Sequence, residues 1–156
     1  MTVPALGRRG GGWVVLQFAI MAAIVAGAFL PPRWPDAIRP VLAVVGGIVS
    51  IAGAGFAAWA GRELGKALTP YPRPSSGELV EHGPFRLVRH PVYAGALLFF
   101  AGVGLFSSLP SLALTGVLGI VWALKLRVEE RFLRQTYPAY AGYCERVRWR
   151  LVPGIY

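Results

Sequence analysis

Four long apolar blocks constrain the fold of this chain more than any other feature of its sequence. They cover residues 13–30, 41–61, 91–107 and 109–125, and Lys125 is the one charged residue in them. At about 1.5 Å per residue, helices of this length approach the ~30 Å hydrocarbon core of a bilayer. Hydrophobic residues form 55% of the chain and charged residues 15%, and the apolar excess lies in these blocks. The pattern predicts an all-α integral membrane protein with four transmembrane helices.

The last two blocks are separated by a short polar turn at 107–111 that contains Pro110. Because proline breaks a helix interior, this spacing favours two antiparallel helices over one long helix. The second block carries small residues at four-residue spacing, which allow helices to approach closely in lipid. It also matches the dinucleotide fingerprint GxGxxA at 53–58. That fingerprint needs a preceding strand, so we interpret its glycines as packing residues. The two small-residue rows are Gly46, Ser50, Ala54 and Ala58, and Gly53, Ala57 and Gly61.

Basic residues are divided unequally between the two predicted sides of the membrane. Of 16 lysines and arginines, only Arg33 and Arg39 lie in the loop between the first two blocks. By the positive-inside rule, both termini, the loop at 62–90 and the tail at 126–156 face the cytoplasm. The net charge of +9 is then expected to orient the chain and contact anionic membrane lipids. No nucleic-acid partner is predicted.

We expect a single membrane domain over residues 1–156. Its Ala/Gly/Arg-rich composition suggests a bacterial cytoplasmic membrane. Arg8 and Arg9 precede the first block as they would in a signal peptide, but three further apolar blocks follow it. Cys144 is the single cysteine, so no intramolecular disulfide and no metal site are predicted. The pattern gives no oligomeric state.

Two polar segments are expected to meet if the last two helices form a hairpin. One is the end of the loop, at 81–93, which contains both histidines, and the other is the helix exit at 125–130. Lys125 and Glu129 are four residues apart and share one helix face. The Glu129 carboxylate can accept hydrogen bonds from the two hydroxyls of a ribose. Glu130 points away and is expected to pair with Arg134.

The loop side chains offer complementary groups for a ligand. Phe85 and Tyr93 present flat faces for a purine or for a sulfonium. Arg86 and Arg89 can hold a carboxylate. His90 precedes a proline, which keeps its backbone out of the helical region and leaves its ring free to face a ligand.

Each of these residues also has an interpretation that involves no ligand. The two arginines can be topology charges near lipid phosphates, the histidine an interfacial residue, and the acidic pair a solvated helix face. The tail residues Tyr137, Tyr140, Tyr143 and Trp149 predict a segment that lies on the membrane surface. The residues by themselves therefore predict a membrane protein with a possible polar site on its cytoplasmic side.

Two motifs resemble a known family. Residues 79–95 read LVEHGPFRLVRHPVYAG and resemble the LVxxGPYRxxRHPxYxG signature of the isoprenylcysteine carboxyl methyltransferase and phospholipid methyltransferase superfamily. Residues 129–133 read EERFL and, with Tyr137, Tyr140, Tyr143, Val147 and Pro153, resemble that superfamily's tail. The motifs stand in the expected order, separated by a helical hairpin, and cover about the C-terminal half of the chain.

The resemblance implies methyl transfer from S-adenosylmethionine on an all-helical membrane scaffold, without a metal. It implies Arg89, Lys125 and Glu129 as catalytic residues. Lys125 stands where the family often has an arginine tied to the substrate, so a bidentate fork is replaced by a point charge. Phe85 stands where tyrosine is usual. The implied cofactor-binding residues are Leu79, Val80, Phe85, Arg86, His90, Pro91, Val92, Tyr93 and Glu129.

Methyl transfer from a sulfonium requires the protein to align donor and acceptor and to exclude water. We expect a lipophilic acceptor that enters from the bilayer, such as an isoprenylcysteine carboxylate. A phospholipid amine, a small thiol and an isoprenoid acid are alternative methyl acceptors. An amine acceptor needs a base, for which Glu129 and His90 are candidates. The alternatives are an NADPH-dependent membrane reductase related to sterol reductases and a non-enzymatic membrane scaffold.

Overall fold

The computed structural model describes residues 3–74 and 78–155, and this part of the chain is all-helical. Residues 75–77 of the predicted loop, and residues 1–2 and 156 of the predicted domain, lie outside it. Short 3₁₀ helices lie at Gly65–Ala67 and Gly83–Arg86. The α-helices are α1 (Gly11–Gly27), α2 (Arg39–Leu64), α3 (Pro91–Ser107), α4 (Leu109–Thr136) and α5 (Tyr140–Arg146).

Two helices are long and apolar enough to cross a membrane: α2 with its 3₁₀ extension, at Arg39–Ala67, and α4. Helices α1 and α3 are shorter apolar helices of 17 residues each. On α2, Val41, Val44, Ile48 and Ile51 form an apolar face with exposed fractions of 63–77%. A continuous apolar face of this kind suits lipid rather than water. These features are those of a membrane protein, and the arrangement of four spans stays a prediction.

Helices α2 and α3 approach each other through small residues. A Cβ on Gly53 would lie 2.4 Å from the Phe99 nitrogen, and one on Gly95 would lie 2.5 Å from the Ala57 nitrogen. Across the same contact, Ser50 Oγ donates a hydrogen bond of 3.2 Å to the Phe99 carbonyl. The packing interpretation is therefore confirmed for Gly53, whereas Gly55 of the same helical segment is exposed and makes no such contact. The row in contact is Gly46, Ser50, Gly53 and Ala57, which combines members of both predicted rows.

The predicted hairpin between α3 and α4 is confirmed, and its break falls at Ser108, whose backbone is extended. Ser108 Oγ accepts a hydrogen bond from Ser111 N and donates one of 2.6 Å to Gly27 O. Ser111 Oγ donates to Ile24 O at 3.1 Å. These contacts bind the turn to the end of α1, which stops at Gly27 rather than at the predicted Leu30. Helix α4 continues to Thr136, so the acidic pair lies inside a long helix.

A buried carboxylate joins α4 to the loop before α3 and to the C-terminal tail. Glu130 Oε1 accepts from Arg89 Nε at 2.9 Å and from Arg150 Nε at 3.0 Å, and its Oε2 accepts from Arg150 Nη2 at 2.9 Å. Next to this Glu130 clamp (Arg89, Glu130 and Arg150), Arg89 N donates to Trp149 O and His90 N to Arg150 O. The clamp thereby fixes the segment that enters α3.

The expected pairing of Glu130 with Arg134 is wrong. The side chain of Glu130 is 4% exposed, and a carboxylate so buried requires donors that are buried with it. Arg134 is exposed on the outer side of α4, and its guanidinium carbon lies 6.0 Å from the Tyr140 ring centroid.

We predict that Gly53→Ala destabilises the protein by about 1–3 kcal/mol, because the new methyl group overpacks the contact between α2 and α3. Gly55 is the matched control, since a Cβ there meets nothing within 4 Å. Gly55→Ala is expected to be neutral or stabilising, because alanine favours the helix. Thermal unfolding in detergent measures both variants. Equal effects would contradict the proposed packing.

We predict that Glu130→Gln costs about 3–5 kcal/mol of stability, because it leaves two arginines without their buried counter-charge. Glu145→Gln, at an exposed carboxylate on α5, is expected to have little effect. Limited trypsin digestion provides the local readout, since release of the tail lets the backbone at Arg148 and Arg150 enter the protease. A tail as resistant in Glu130→Gln as in the wild type would rule out the clamp.

Candidate functional site

A cavity of ≈390 Å³ lies among α1, α3, α4, α5 and the segment that follows α2. Its volume is in the range of small-molecule sites. Of the predicted site residues, Arg86 and Lys125 are not among the described residues that line it. Those that line it are Leu79, Val80, Phe85, Arg89, His90, Pro91, Val92, Tyr93 and Glu129.

The cavity is elongated along α4. Trp122, Glu129 and Leu133 line it from the same helix, and the separation of eleven positions from first to last corresponds to about 16 Å. Its inner half, around Trp122, is lined by Phe18, Met21, Ala96 and Trp122. Its outer half, beyond Glu129, is lined by Leu79, Leu133, Tyr137, Tyr140 and Tyr143. The carboxylate of Glu129 lies between the two halves.

Glu129, His90 and Tyr93 meet at the centre of the cavity. Tyr93 Oη donates a hydrogen bond of 2.8 Å to Glu129 Oε2. His90 Nδ1 lies 3.6 Å from Glu129 Oε1, and His90 Nε2 lies 3.5 Å from Glu130 Oε1. These three residues come from two motifs separated by the α3–α4 hairpin. The structure therefore brings together the groups that the sequence placed at one site.

The pKa of His90 is set by two opposing influences. Burial lowers the pKa because it penalises the imidazolium, but interactions with Glu129 and Glu130 outweigh burial and hold it above its ordinary value. The ring therefore favours its protonated form between two carboxylates. In that form its charge faces the carboxylates of both Glu129 and Glu130.

The three predicted cationic residues occupy different environments. Arg89 borders the cavity, but its guanidinium donates to Glu130 and to the carbonyls of Val147 and Arg148. Arg86 is exposed and borders a second, shallow pocket with Glu81, His82 and Arg146. Lys125 is fully buried, and its ammonium donates to Gln17 Oε1 and to Pro70 O. Catalytic roles for Arg89 and Lys125 stay predictions.

The tail tyrosines form part of the cavity wall, although their pattern predicted a segment on the membrane surface. Tyr140 is 1% exposed and Tyr143 is 2% exposed, so they do not lie on the surface as expected. Tyr143 Oη donates to Phe85 O at 2.7 Å, whereas Tyr140 Oη has no hydrogen-bond partner among the described residues. Burial raises the pKa of both hydroxyls and keeps them protonated. Their three-residue spacing was the available signal for one buried helix face.

Two further walls were also missed. Helix α1 contributes Gln17, Phe18 and Met21, and five consecutive residues at 68–72 close the cavity from the end of α2. Nothing in the local pattern of a Pro-rich loop indicates such a contact. Among the described residues, no group of three or more His, Cys, Asp or Glu side chains is arranged to hold a metal ion.

Known proteins resemble this chain over most of its length. The cobalt-zinc-cadmium resistance protein CzcN of Cupriavidus metallidurans is 34% identical over 145 residues, which cover 89% of this chain and 61% of that protein. The nickel-cobalt-cadmium resistance protein NccN of Alcaligenes xylosoxydans xylosoxydans is 29% identical, covering 89% and 62%. The chain thus spans about three fifths of the length of these relatives.

A third relative carries a methyltransferase name. A probable protein-S-isoprenylcysteine O-methyltransferase of Oryza sativa subsp. indica is 38% identical over 73 residues, covering 45% of this chain and 38% of that protein. The family model of phospholipid methyltransferases matches residues 41–140. That range includes α2, α3, α4 and the central carboxylate of the cavity. The chain belongs to the phospholipid methyltransferase family, within the superfamily that its two motifs predicted.

Proposed function

We propose that this protein is a membrane methyltransferase that uses S-adenosylmethionine and methylates a lipophilic acceptor delivered from the bilayer. The observation that carries the proposal is the meeting of Glu129, His90 and Tyr93, from two separate motifs, in one elongated cavity. Family membership supports the reaction type. The cofactor and the acceptor are proposals about this chain.

The cavity has the chemical features that a nucleoside sulfonium requires. A carboxylate offers about four lone-pair positions, and Glu129 uses one of them for the Tyr93 hydroxyl. The others can accept the two ribose hydroxyls. The aromatic outer half offers flat surfaces for a purine, and the Tyr93 ring face can attract a positively charged sulfonium. The residues that line the cavity therefore fit S-adenosylmethionine.

The protein's own groups would act by positioning. When bound, S-adenosylmethionine supplies an electrophilic methyl group. Tyr93 holds the Glu129 carboxylate in place by its hydrogen bond, and protonated His90 balances the charge behind it. The apolar inner half excludes water from the acceptor side, which favours a displacement between aligned groups. If the acceptor must lose a proton, Glu129 and His90 are the candidate bases, and Glu129 is the one whose carboxylate lines the cavity between its two halves.

The inner half suits an apolar acceptor. Its walls include the apolar side chains of Phe18, Met21, Ala96 and Trp122, with Gln17 as a polar member. Phe18 is 51% exposed. The inner half therefore lies next to a surface of α1 that would face lipid. An isoprenylcysteine carboxylate, a lipid amine and a thiol all fit this description.

Two relatives are named for metal resistance. The proposal for this chain rests instead on the phospholipid methyltransferase family model, which matches residues 41–140.

We predict that Glu129→Gln weakens binding of S-adenosylhomocysteine about 10- to 100-fold, because hydrogen bonds to a charged acceptor are replaced by bonds to a neutral amide. His90→Ala is expected to weaken binding in the same direction, because it removes the cation that orients Glu129. Isothermal titration of the purified protein in nanodiscs measures both. Glu145→Gln provides the exposed-carboxylate control.

The same titration separates the competing functions. Binding of NADPH but not of S-adenosylhomocysteine by the wild type would favour the reductase. Binding of neither nucleotide would favour a scaffold. Unchanged affinity for S-adenosylhomocysteine in both variants would refute the assigned site while leaving the cofactor in place.

We also propose that the site faces the cytoplasm, from the excess of basic residues on its side. In a Cys144→Ser background, Asp36→Cys is predicted to react with a membrane-impermeant maleimide on intact cells. Gln135→Cys, near the end of α4, is predicted to react only after permeabilisation. The reverse labelling pattern would overturn the orientation.

A further inference from the structure

The buried ammonium of Lys125 joins three parts of the protein that are distant in sequence. It donates hydrogen bonds to Gln17 Oε1 on α1 and, at 2.7 Å, to Pro70 O in the segment after α2. It also lies 5.1 Å from the ring centroid of Tyr93 on α3. Trp122 Nε1 donates to the same Gln17 oxygen at 3.2 Å. A lysine with no exposed surface is thus used entirely for internal contacts.

One of these parts is a strap, residues 65–74, that covers the cavity. Leu68, Thr69, Pro70, Tyr71 and Pro72 all line it. The strap is held at two points. Lys125 binds the carbonyl of Pro70, and the ring of buried Pro72 packs against Gly10, where a Cβ would lie 2.5 Å from Pro72 Cγ.

The two sides of the cavity are held by contacts of different strength. On the tail side, Arg89 and Arg150 bind the carboxylate of Glu130 through charge-assisted hydrogen bonds. On the strap side, both acceptors of the Lys125 ammonium are neutral oxygens. These bonds have a charged donor but no charged acceptor, so they lack the full ion pair that Glu130 forms with Arg89 and Arg150. The strap is therefore the wall that opens at lower cost.

The strap also lies at the level of the inner half. Gln17 and Trp122, which share the Lys125 contact, line the cavity two helical turns inward of Glu129. In the proposed function the acceptor occupies this half, and the nucleoside lies at and beyond Glu129. A wall that opens here exposes the acceptor position without dismantling the Glu129 centre.

We infer that Lys125 is a positioning residue that holds the strap closed over the inner half of the cavity. The strap opens to admit the lipophilic acceptor to that half. The assignment of an acceptor to this half rests on the proposed function. The tether itself rests only on the contacts of Lys125, Pro70 and Gly10.

The test compares hydrogen exchange in the strap with exchange in the tail segment 147–151 in the full-length protein in nanodiscs. Lys125→Met preserves the length of the side chain and removes its donors. It is expected to speed exchange in the strap about tenfold and to leave the tail protected. Arg127→Met, at an exposed cation on the same helix, is the matched control and is expected to change neither segment. Gly10→Ala displaces Pro72 at the other anchor and is expected to open the same strap.

Titration with S-adenosylhomocysteine provides the second measurement. Lys125→Met is expected to retain binding and to lose less affinity than Glu129→Gln, since the Glu129 carboxylate and the outer half stay in place and the nearest change is the loss of the cation beside the Tyr93 ring. Unchanged strap exchange, or faster exchange in strap and tail together, would overturn the tether. A large loss of affinity with an open strap would overturn its assignment to the acceptor half. If the wild type does not bind S-adenosylhomocysteine, the proposed function is wrong, and so is the role of the strap in admitting an acceptor. The hydrogen-exchange result still tests whether Lys125 holds the strap.

Discussion

The buried carboxylate of Glu130 is the interaction on which the rest of the site depends. It sits on α4, accepts hydrogen bonds from Arg89 and Arg150, and thereby holds the loop before α3 and the tail against one helix. Adjacent residues on a helix point about 100° apart. Fixing Glu130 toward the tail therefore turns Glu129 toward the cavity. One acidic residue of the pair is used for structure, and its neighbour keeps lone pairs for a ligand.

The small residues of α2 and the Ser108 turn determine where this centre lies. Close packing at Gly53 and Gly95 fixes α3 against α2, and Ser108 Oγ bonds to Gly27 O at the opposite end of the hairpin. With both ends of α3 constrained, His90 and Tyr93 can only meet α4 near Glu129. Helix packing in lipid lacks a hydrophobic drive between helices, so such close contacts and hydrogen bonds supply the specificity.

Local signals in the sequence were sufficient for the helices, the hairpin and the central residues of the cavity. Pro110 and the serines at 107–111 marked the break, and the two motifs identified His90, Tyr93 and Glu129. Long-range pairs were not predictable. Glu130 was assigned to Arg134 because the two lie one turn apart, whereas its donors are 41 and 20 residues away. The burial of Tyr140 and the tether of Lys125 likewise depend on segments that meet only in the folded chain, and no local periodicity encodes them.

In the proposed function, the elongated cavity has to bring together one molecule from water and one from the bilayer. S-adenosylmethionine is a charged, water-soluble molecule, whereas a lipophilic acceptor stays in the bilayer. Along α4, the lining changes from Trp122, through Glu129, to the tyrosines that follow Leu133. The polar centre therefore lies at the end of the apolar part of α4, where a charged side chain costs far less than at mid-bilayer. In the proposed function, a reaction at that depth would let the cofactor stay in water and the acceptor stay in lipid. The carboxylate, the tail and the strap all meet at this end of the helices rather than at their centre.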